Sequence, residues 1–270
     1  MSTGSIPLTA PRRGAGALSS AATITWRNLL GYVRVPQAIF FASLQPVMFV
    51  LLFRYVFGGA ITHALPDGAR YADYMMPGAY TIGLAFGATA TAVGLAADLK
   101  SGLLERFRAL PMARSAVLAG RTGADLLRNV FVFVWMTGLG YLVGFRIHQG
   151  IWRYLAAGLL VLAFAFAMSW VFCLIGLAAS SPETANIVAF PVLFPLGFVS
   201  SALVPTATMP GPLRAVAAHQ PVSYTADAVR ALLFGGDTAT PVLGSLAWTA
   251  GILLVFAPLA VRRYRKATPS

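Results

Sequence analysis

The side chains able to do chemistry in this sequence are few and scattered. Cys173 is the only cysteine and sits inside an apolar run, where a thiol reads as a small inert core residue. His63, His148 and His219 are far apart and lack metal-ligand spacing, so no metal site is expected. The chain contains no G-x-x-x-x-G-K-[ST], no G-x-S-x-G and no H-E-x-x-H, so no nucleotide is expected to bind through a P-loop and no catalytic residue is expected. What stands out instead is charge. "LKSGLLERFRALPMARSAVLAGR", Leu99 to Arg121, holds Lys100, Arg106, Arg108, Arg114 and Arg121 between two long apolar stretches. On a helix, Leu103, Phe107 and Leu110 fall at i, i+4 and i+7 with Leu104 beside them, and Glu105, Arg106 and Arg108 fall mostly elsewhere around the circumference. Pro111 breaks that helix, because proline disfavours helical backbone at the residue before it. A second helix can start near Arg114–Ser115 and run into the next apolar stretch. Two readings fit this pattern. One is an ordinary basic loop that sets topology. The other is a stiff amphipathic docking element, which inserts into a groove on a cytoplasmic partner and passes movement to the flanking segments.

The elements that must position this connector are membrane spans. Of 270 residues, 58% are hydrophobic and 10% charged, against roughly 25% charged in a soluble domain. Several stretches approach or exceed the roughly 20 apolar residues that cross a bilayer. The expected fold is an all-α membrane protein. Residues 20–36, with Trp26, Arg27 and Arg34, read as an interfacial helix turned into the bilayer at Pro36. Six spans are expected at about 37–57, 76–97, 123–145, 154–179, 186–204 and 241–261. The first ends at Gly58 and Gly59, and the second begins at Pro77. Pro46, Pro191 and Pro195 are expected to kink their helices. The proline-punctuated stretch 205–240 accommodates two short helices, at about 211–218 and 222–233. Ser223 is the cap candidate of the second and Gly235 its end, and both helices suit an interfacial or re-entrant placement. The domain reading is a flexible cytoplasmic tail over 1–19, one transmembrane domain over 20–261 and a basic cytoplasmic tail over 262–270.

The net charge of +12 is explained by basic residues flanking the spans, and the apolar runs leave no soluble basic face for nucleic acid. With the N-terminus inside, thirteen Lys and Arg lie in inner segments and five in outer ones (Arg70, Arg146, Arg153, Arg214, Arg230). That bias places both termini and the connector in the cytoplasm. Arg54 and Arg128 fall within spans, Arg54 close enough to an end to snorkel outward. Asp98 and Asp125 are read near the cytoplasmic ends of spans and Asp67 and Asp73 outside, so no acidic pair is expected at mid-membrane. A proton-coupled carrier needs an ionisable group in its bundle core, and this absence counts against one. A membrane-embedded enzyme is disfavoured because no polar cluster is expected to converge at one depth, and a non-transporting scaffold stays open.

Three blocks carry a family resemblance. "RNLLGYVRVPQAIFFASLQPVMFVLLFRYVFGGAI" looks like the opening of type-2 ABC exporter permeases of the daunorubicin-resistance-like branch. "LKSGLLERFRALPMARSAVLAGRTGADLLRN" resembles their cytoplasmic signature, and "FPLGFVSSALVPTATMPGPLRAVAAHQPVSYTADAVRALLFGG" their segment around the fifth span. The match extends over about 20–261, with one departure: His219-Gln220 precedes Pro221 where many relatives carry Asn-Pro. The resemblance implies six spans per permease subunit in a multi-pass protein of the bacterial plasma membrane. It implies two copies of a separately encoded ATPase subunit that carry the ATP and Mg, and a second permease subunit, as a homodimer or a heterodimer. It makes the connector a coupling helix, with Leu103, Leu104, Glu105, Arg106, Phe107, Arg108, Pro111 and Arg114 as the ATPase-contact positions. The function it implies is export of hydrophobic or amphiphilic drugs or antibiotics, with complex lipids or glycans as alternative cargo and a proton-coupled multidrug carrier as the rival of another class. Gln45, Phe49, Phe86, Thr89 and Phe194 are the candidate cavity residues in spans 1, 2 and 5, with ordinary helix packing the competing reading for each.

Overall fold

The computed structural model describes residues 44, 46–62, 65, 70–101 and 114–267. Among these there is no strand. The expected interfacial helix at 20–36, the tail over 1–19, Gln45, and the connector positions Leu103 to Pro111 lie outside the described residues.

The helices are α1 (46–62), α2 (Tyr71–Gly87), α3 (Thr89–Lys100), α4 (Arg114–Leu142), α5 (Ile151–Ala178), α6 (Pro182–Phe198), α7 (Gly211–His219), α8 (Pro221–Phe234) and α9 (Ala239–Ala267). Three runs are long and apolar enough to cross a membrane: Tyr71–Lys100, Ile151–Ala178 and Ala239–Arg265. α4 is as long, but its first half carries Arg121, Asp125 and Arg128.

α5 organises the bundle. It is apolar on every face, which suits a helix surrounded by others, and α2, α3, α4, α6, α8 and α9 all pack against it. Phe164, Ala165, Ala167, Phe172 and Cys173 on it are fully buried. The helices around it expose their outward faces, with Val134, Ile187, Leu243 and Leu254 among the exposed large apolar side chains. In water such faces would be a liability; against lipid they cost nothing.

Several boundaries differ from those expected. α1 does not stop at Gly58–Gly59 but continues to Thr62, after a π-helical turn over Leu52–Phe57. α2 begins at Tyr71 with Pro77 inside it, and α4 begins at Arg114 instead of 123. α6 ends at Phe198, six residues short of the expected span end, and holds Pro191 and Pro195 in its interior. α9 runs through Arg262, Arg263 and Arg265, so the basic stretch is helical as far as Ala267. The two short helices fall where expected. However, the residue capping α8 is Gln220, and Ser223 sits inside the helix with its hydroxyl accepting from Ser201 N at 2.9 Å. Hydropathy locates apolar faces, whereas helix ends follow local hydrogen bonding, which is why the cores match and the ends move.

The chain after α6 folds back onto α2. Tyr74 Oη donates to the Ser201 carbonyl at 2.9 Å and Tyr71 Oη to that of Leu203 at 3.3 Å. This approach requires glycine at 78, since a Cβ there would lie 1.8 Å from the Ala202 carbonyl oxygen. Gly78→Ala is therefore expected to cost about 3 kcal/mol, the upper end for overpacking. Gly138→Ala, on α4 with nothing within 4 Å of the new methyl, is expected to be neutral or slightly stabilising. Thermal unfolding of the purified variants in detergent separates the two.

Candidate functional site

α3 and α4 flank the connector and face each other in antiparallel order. Arg121, Asp125 and Arg128 stand at i, i+4 and i+7 on α4, one face of the helix. Each meets a partner on the 87–98 stretch. Arg121 Nη1 donates to Asp98 Oδ2 at 2.7 Å. Asp125 Oδ2 accepts from Thr91 Oγ1 at 2.5 Å. Arg128 Nη2 donates to the Gly87 carbonyl at 2.6 Å, and its Nη1 lies 3.4 Å from Asp125 Oδ1. Gly94 makes room for the first rung, because a Cβ there would sit 1.6 Å from Arg121 Nη2. The chain tightens between α2 and α3, where Thr91 N donates to the Ala88 carbonyl at 3.0 Å, and at this break the Gly87 carbonyl takes the guanidinium. Asp125, Asn129 and Thr91 are at most 1% exposed and Arg128 is 8% exposed. Gly87 is near the middle of the 30-residue run Tyr71–Lys100, so the upper rung sits at mid-length of the bundle.

A second polar link joins α2 to α4 further along. Tyr80 Oη donates to Thr137 Oγ1 at 3.0 Å, and Thr137 is 2.8 Å from Tyr154 Oη on α5. Phe133 packs between the two tyrosine rings, at 4.8 and 5.4 Å between centroids.

Beside the ladder two clefts adjoin, sharing Pro46, Gly83 and Phe86. One, of about 310 Å³, is otherwise walled by Phe49, Ala79, Ile82 and Leu203. The other, of about 590 Å³, reaches Thr89, Ala90, Arg128 and Asn129. Of the five expected cavity residues, Phe49, Phe86 and Thr89 line these clefts. Phe49 lies 6.3 Å from Phe86 and 6.2 Å from Phe198, whose ring stacks on Phe194 at 4.4 Å. Phe194 is on a surface face of α6, 43% exposed. Thr89 Oγ1 donates to the Phe86 carbonyl at 2.8 Å. Arg114 begins α4, the point at which the helix after Pro111 is expected to start.

A further cluster closes the far end. Arg230 pairs with Asp227, donates to the Tyr74 carbonyl at 3.2 Å and the Ser201 carbonyl at 3.1 Å, and stacks 3.9 Å over the Tyr74 ring. Gln220 Nε2 donates to the Leu196 and Val199 carbonyls at 2.8 and 2.7 Å. The residue that departs from the Asn-Pro pattern thus ties the end of α6 to the start of α8. Arg54 does not simply snorkel, since its Nε donates to the Val143 carbonyl at 3.2 Å.

Two expectations need correction. Asp125 is not at a span end but in the interior of α4, paired with Arg128, so an ionisable pair does occupy the bundle core. Polar groups also converge at one depth, around Arg128, Asn129 and Gly87. The i, i+4, i+7 spacing of Arg121, Asp125 and Arg128 was the available signal. It is masked by a hydropathy reading that starts the span at 123. Among the described residues no group of His, Cys, Asp and Glu could hold a metal ion.

A helical bundle with apolar outer faces and helical runs long enough to cross a bilayer is the architecture of a membrane protein. The ABC-2 type transporter family matches residues 20–234, and the chain belongs to that family. The daunorubicin resistance ABC transporter permease protein DrrB1 of Streptomyces coeruleorubidus is 35% identical over 260 residues, 96% of this chain and 91% of the relative. The probable doxorubicin resistance ABC transporter permease protein DrrC of Mycobacterium tuberculosis is 30% identical, over 90% of this chain and 87% of its own length. The inner membrane transport permease YadH of Escherichia coli is 24% identical over 78% of this chain and 80% of its own.

Removing one member of a buried ion pair strands the other, at about 3–5 kcal/mol, whereas removing both costs less than the sum. Asp125→Ala is accordingly expected to lower the thermal midpoint in detergent strongly, and Asp125→Ala with Arg128→Ala to recover much of the loss.

Proposed function

We propose that this chain is the permease subunit of an ATP-driven exporter that moves hydrophobic or amphiphilic drugs or antibiotics out of a bacterial cell. Family membership and the drug-resistance names of the relatives support the cargo class. In this reading the chain crosses the plasma membrane six times with both termini in the cytoplasm. It has no ATP site of its own. Two ATPase subunits bind ATP and Mg, and a second permease subunit completes the pathway.

The observation that carries the mechanism is the ladder. Residues 102–113 join α3 to α4, and these two helices are tied by the Asp98–Arg121 pair and the Thr91–Asp125 bond, while the Gly87–Arg128 bond ties the end of α2 to α4. A displacement of the connector therefore reaches them as one unit and does not dissipate between them. In this proposal Leu103, Leu104 and Phe107 plug a groove on the ATPase, and Glu105, Arg106, Arg108 and Arg114 make charged contacts at its rim, with Pro111 fixing the break. Closure of the ATPase pair pushes the connector, shifts spans 1 and 2 against spans 5 and 6, and turns a cavity between the permease subunits outward. The push is useful only insofar as nucleotide binds one arrangement better than the other. Phe49, Phe86, Thr89 and Phe194, with Gln45, are the proposed substrate path.

Asp125 supplies a core carboxylate of the kind a proton-coupled carrier requires. Its oxygens are engaged by Thr91 and Arg128, and the ladder accounts for its presence without proton movement.

Co-expression with the cognate ATPase tests the reading. Wild-type membranes should retain the ATPase on purification, while Glu105→Ala should weaken retention and Phe107→Asp should abolish it with membrane insertion unchanged. Equal retention by all three would reduce the connector to a topology signal.

A further inference from the structure

The groove beside the ladder is amphipathic along its length. Its Phe49 end has apolar walls, and its other end presents Thr89, Arg128 and Asn129. Asn129 is 1% exposed; its Oδ1 accepts from Arg128 Nη2 at 3.4 Å, and its Nδ2 has no hydrogen-bond partner among the described residues. A buried donor left unpaired is costly, so one that lines a cleft marks the place of a missing acceptor. Charge narrows the class. Arg121 and Arg128 are balanced by Asp98 and Asp125 in the same ladder, so the polar end offers little net attraction to an ion, and Arg128 lining the cleft opposes a cation.

We infer that this groove is a binding subsite for a neutral amphiphile, with its apolar body along Phe49 and Phe86 and a carbonyl or quinone oxygen accepting from Asn129 Nδ2. The inference rests on the export reading in that it names the chemistry of the cargo recognised between spans 1, 2 and 3. The same chemistry is offered by a lipid ester carbonyl. Asn129 is a substrate-contact residue in this account, and Arg128 positions it through its Oδ1.

The test uses the full chain with its ATPase in lipid nanodiscs and two radiolabelled probes, a decyl-naphthoquinone and the matching decylnaphthalene, which share a body and differ in acceptor oxygens. Binding is read as the excess over empty discs. The wild type should prefer the quinone by about tenfold, the scale of one well-placed hydrogen bond. Asn129→Leu should erase that preference, Asn129→Gln should keep part of it, and Ala90→Leu, which narrows the cleft without touching the donor, should weaken both probes. Discs of ether-linked lipid separate the sources. Tighter quinone binding there means that lipid esters compete for the same donor, and unchanged binding assigns the site to the probe. A wild type that binds both probes equally, or an Asn129→Leu variant that keeps the preference, overturns the subsite. ATP-driven drug uptake into inverted vesicles is measured alongside. Uptake without quinone preference removes the subsite and leaves export standing, whereas an Asn129-dependent preference without uptake supports the site and removes the export reading.

Discussion

Two guanidinium groups and two carboxylates lie between α3 and α4, Asp125 and Arg128 buried and Asp98 and Arg121 partly so. An isolated charge in such a place is prohibitive, so each must be met by a partner of opposite sign or by a backbone dipole. Asp98 meets Arg121, Asp125 meets Thr91 and Arg128, and the Gly87 carbonyl takes the remaining guanidinium edge. Much of the local architecture follows from this. Gly94 has no side chain because Arg121 crosses there, and α2 gives way to α3 beside the carbonyl that Arg128 requires.

In the proposed mechanism the ladder would let a bundle built mostly of sliding apolar contacts transmit a directed push. Packing between Leu, Ala and Phe side chains is strong in aggregate but tolerant of small shifts. Directed polar bonds at fixed rungs are not. The far end is fixed by the same means, since Arg230, Asp227, Ser201 and Tyr74 tie α8 and the 199–204 turn to α2. Between these two polar ends the Phe49, Phe86, Phe198 and Phe194 rings pack on one another.

The all-helical class, the apolar stretches and the family were legible in the sequence, because each depends on residue types summed over long windows or on matched blocks. The two short helices at 211–219 and 221–234 were legible for a similar reason, being bracketed by proline and glycine. Helix ends at Thr62, Tyr71 and Phe198 were not, because they depend on local bonds and on partners far away in the chain. Of the site, Phe49, Phe86 and Thr89 were named from residue type alone. Asn129 was missed because a lone amide on an apolar helix carries no pattern, and Gln220 was read only as a departure from the family's Asn-Pro, although it bonds the Leu196 carbonyl on α6 and the Val199 carbonyl just beyond it.

The sequence by itself determined what this protein is made of: long apolar stretches, a basic connector that contains Pro111, and the motif blocks of the ABC-2 type transporter family. Composition and spacing suffice there because burial in a bilayer acts on each segment almost independently. Only the tertiary structure decided that Arg121, Asp125 and Arg128 face Asp98, Thr91 and Gly87, and that Asn129, its amide nitrogen without a partner among the described residues, lines a groove. Those facts depend on the rotation and register of one helix against another. That register is set by where buried charges find partners and where a glycine lets a side chain pass.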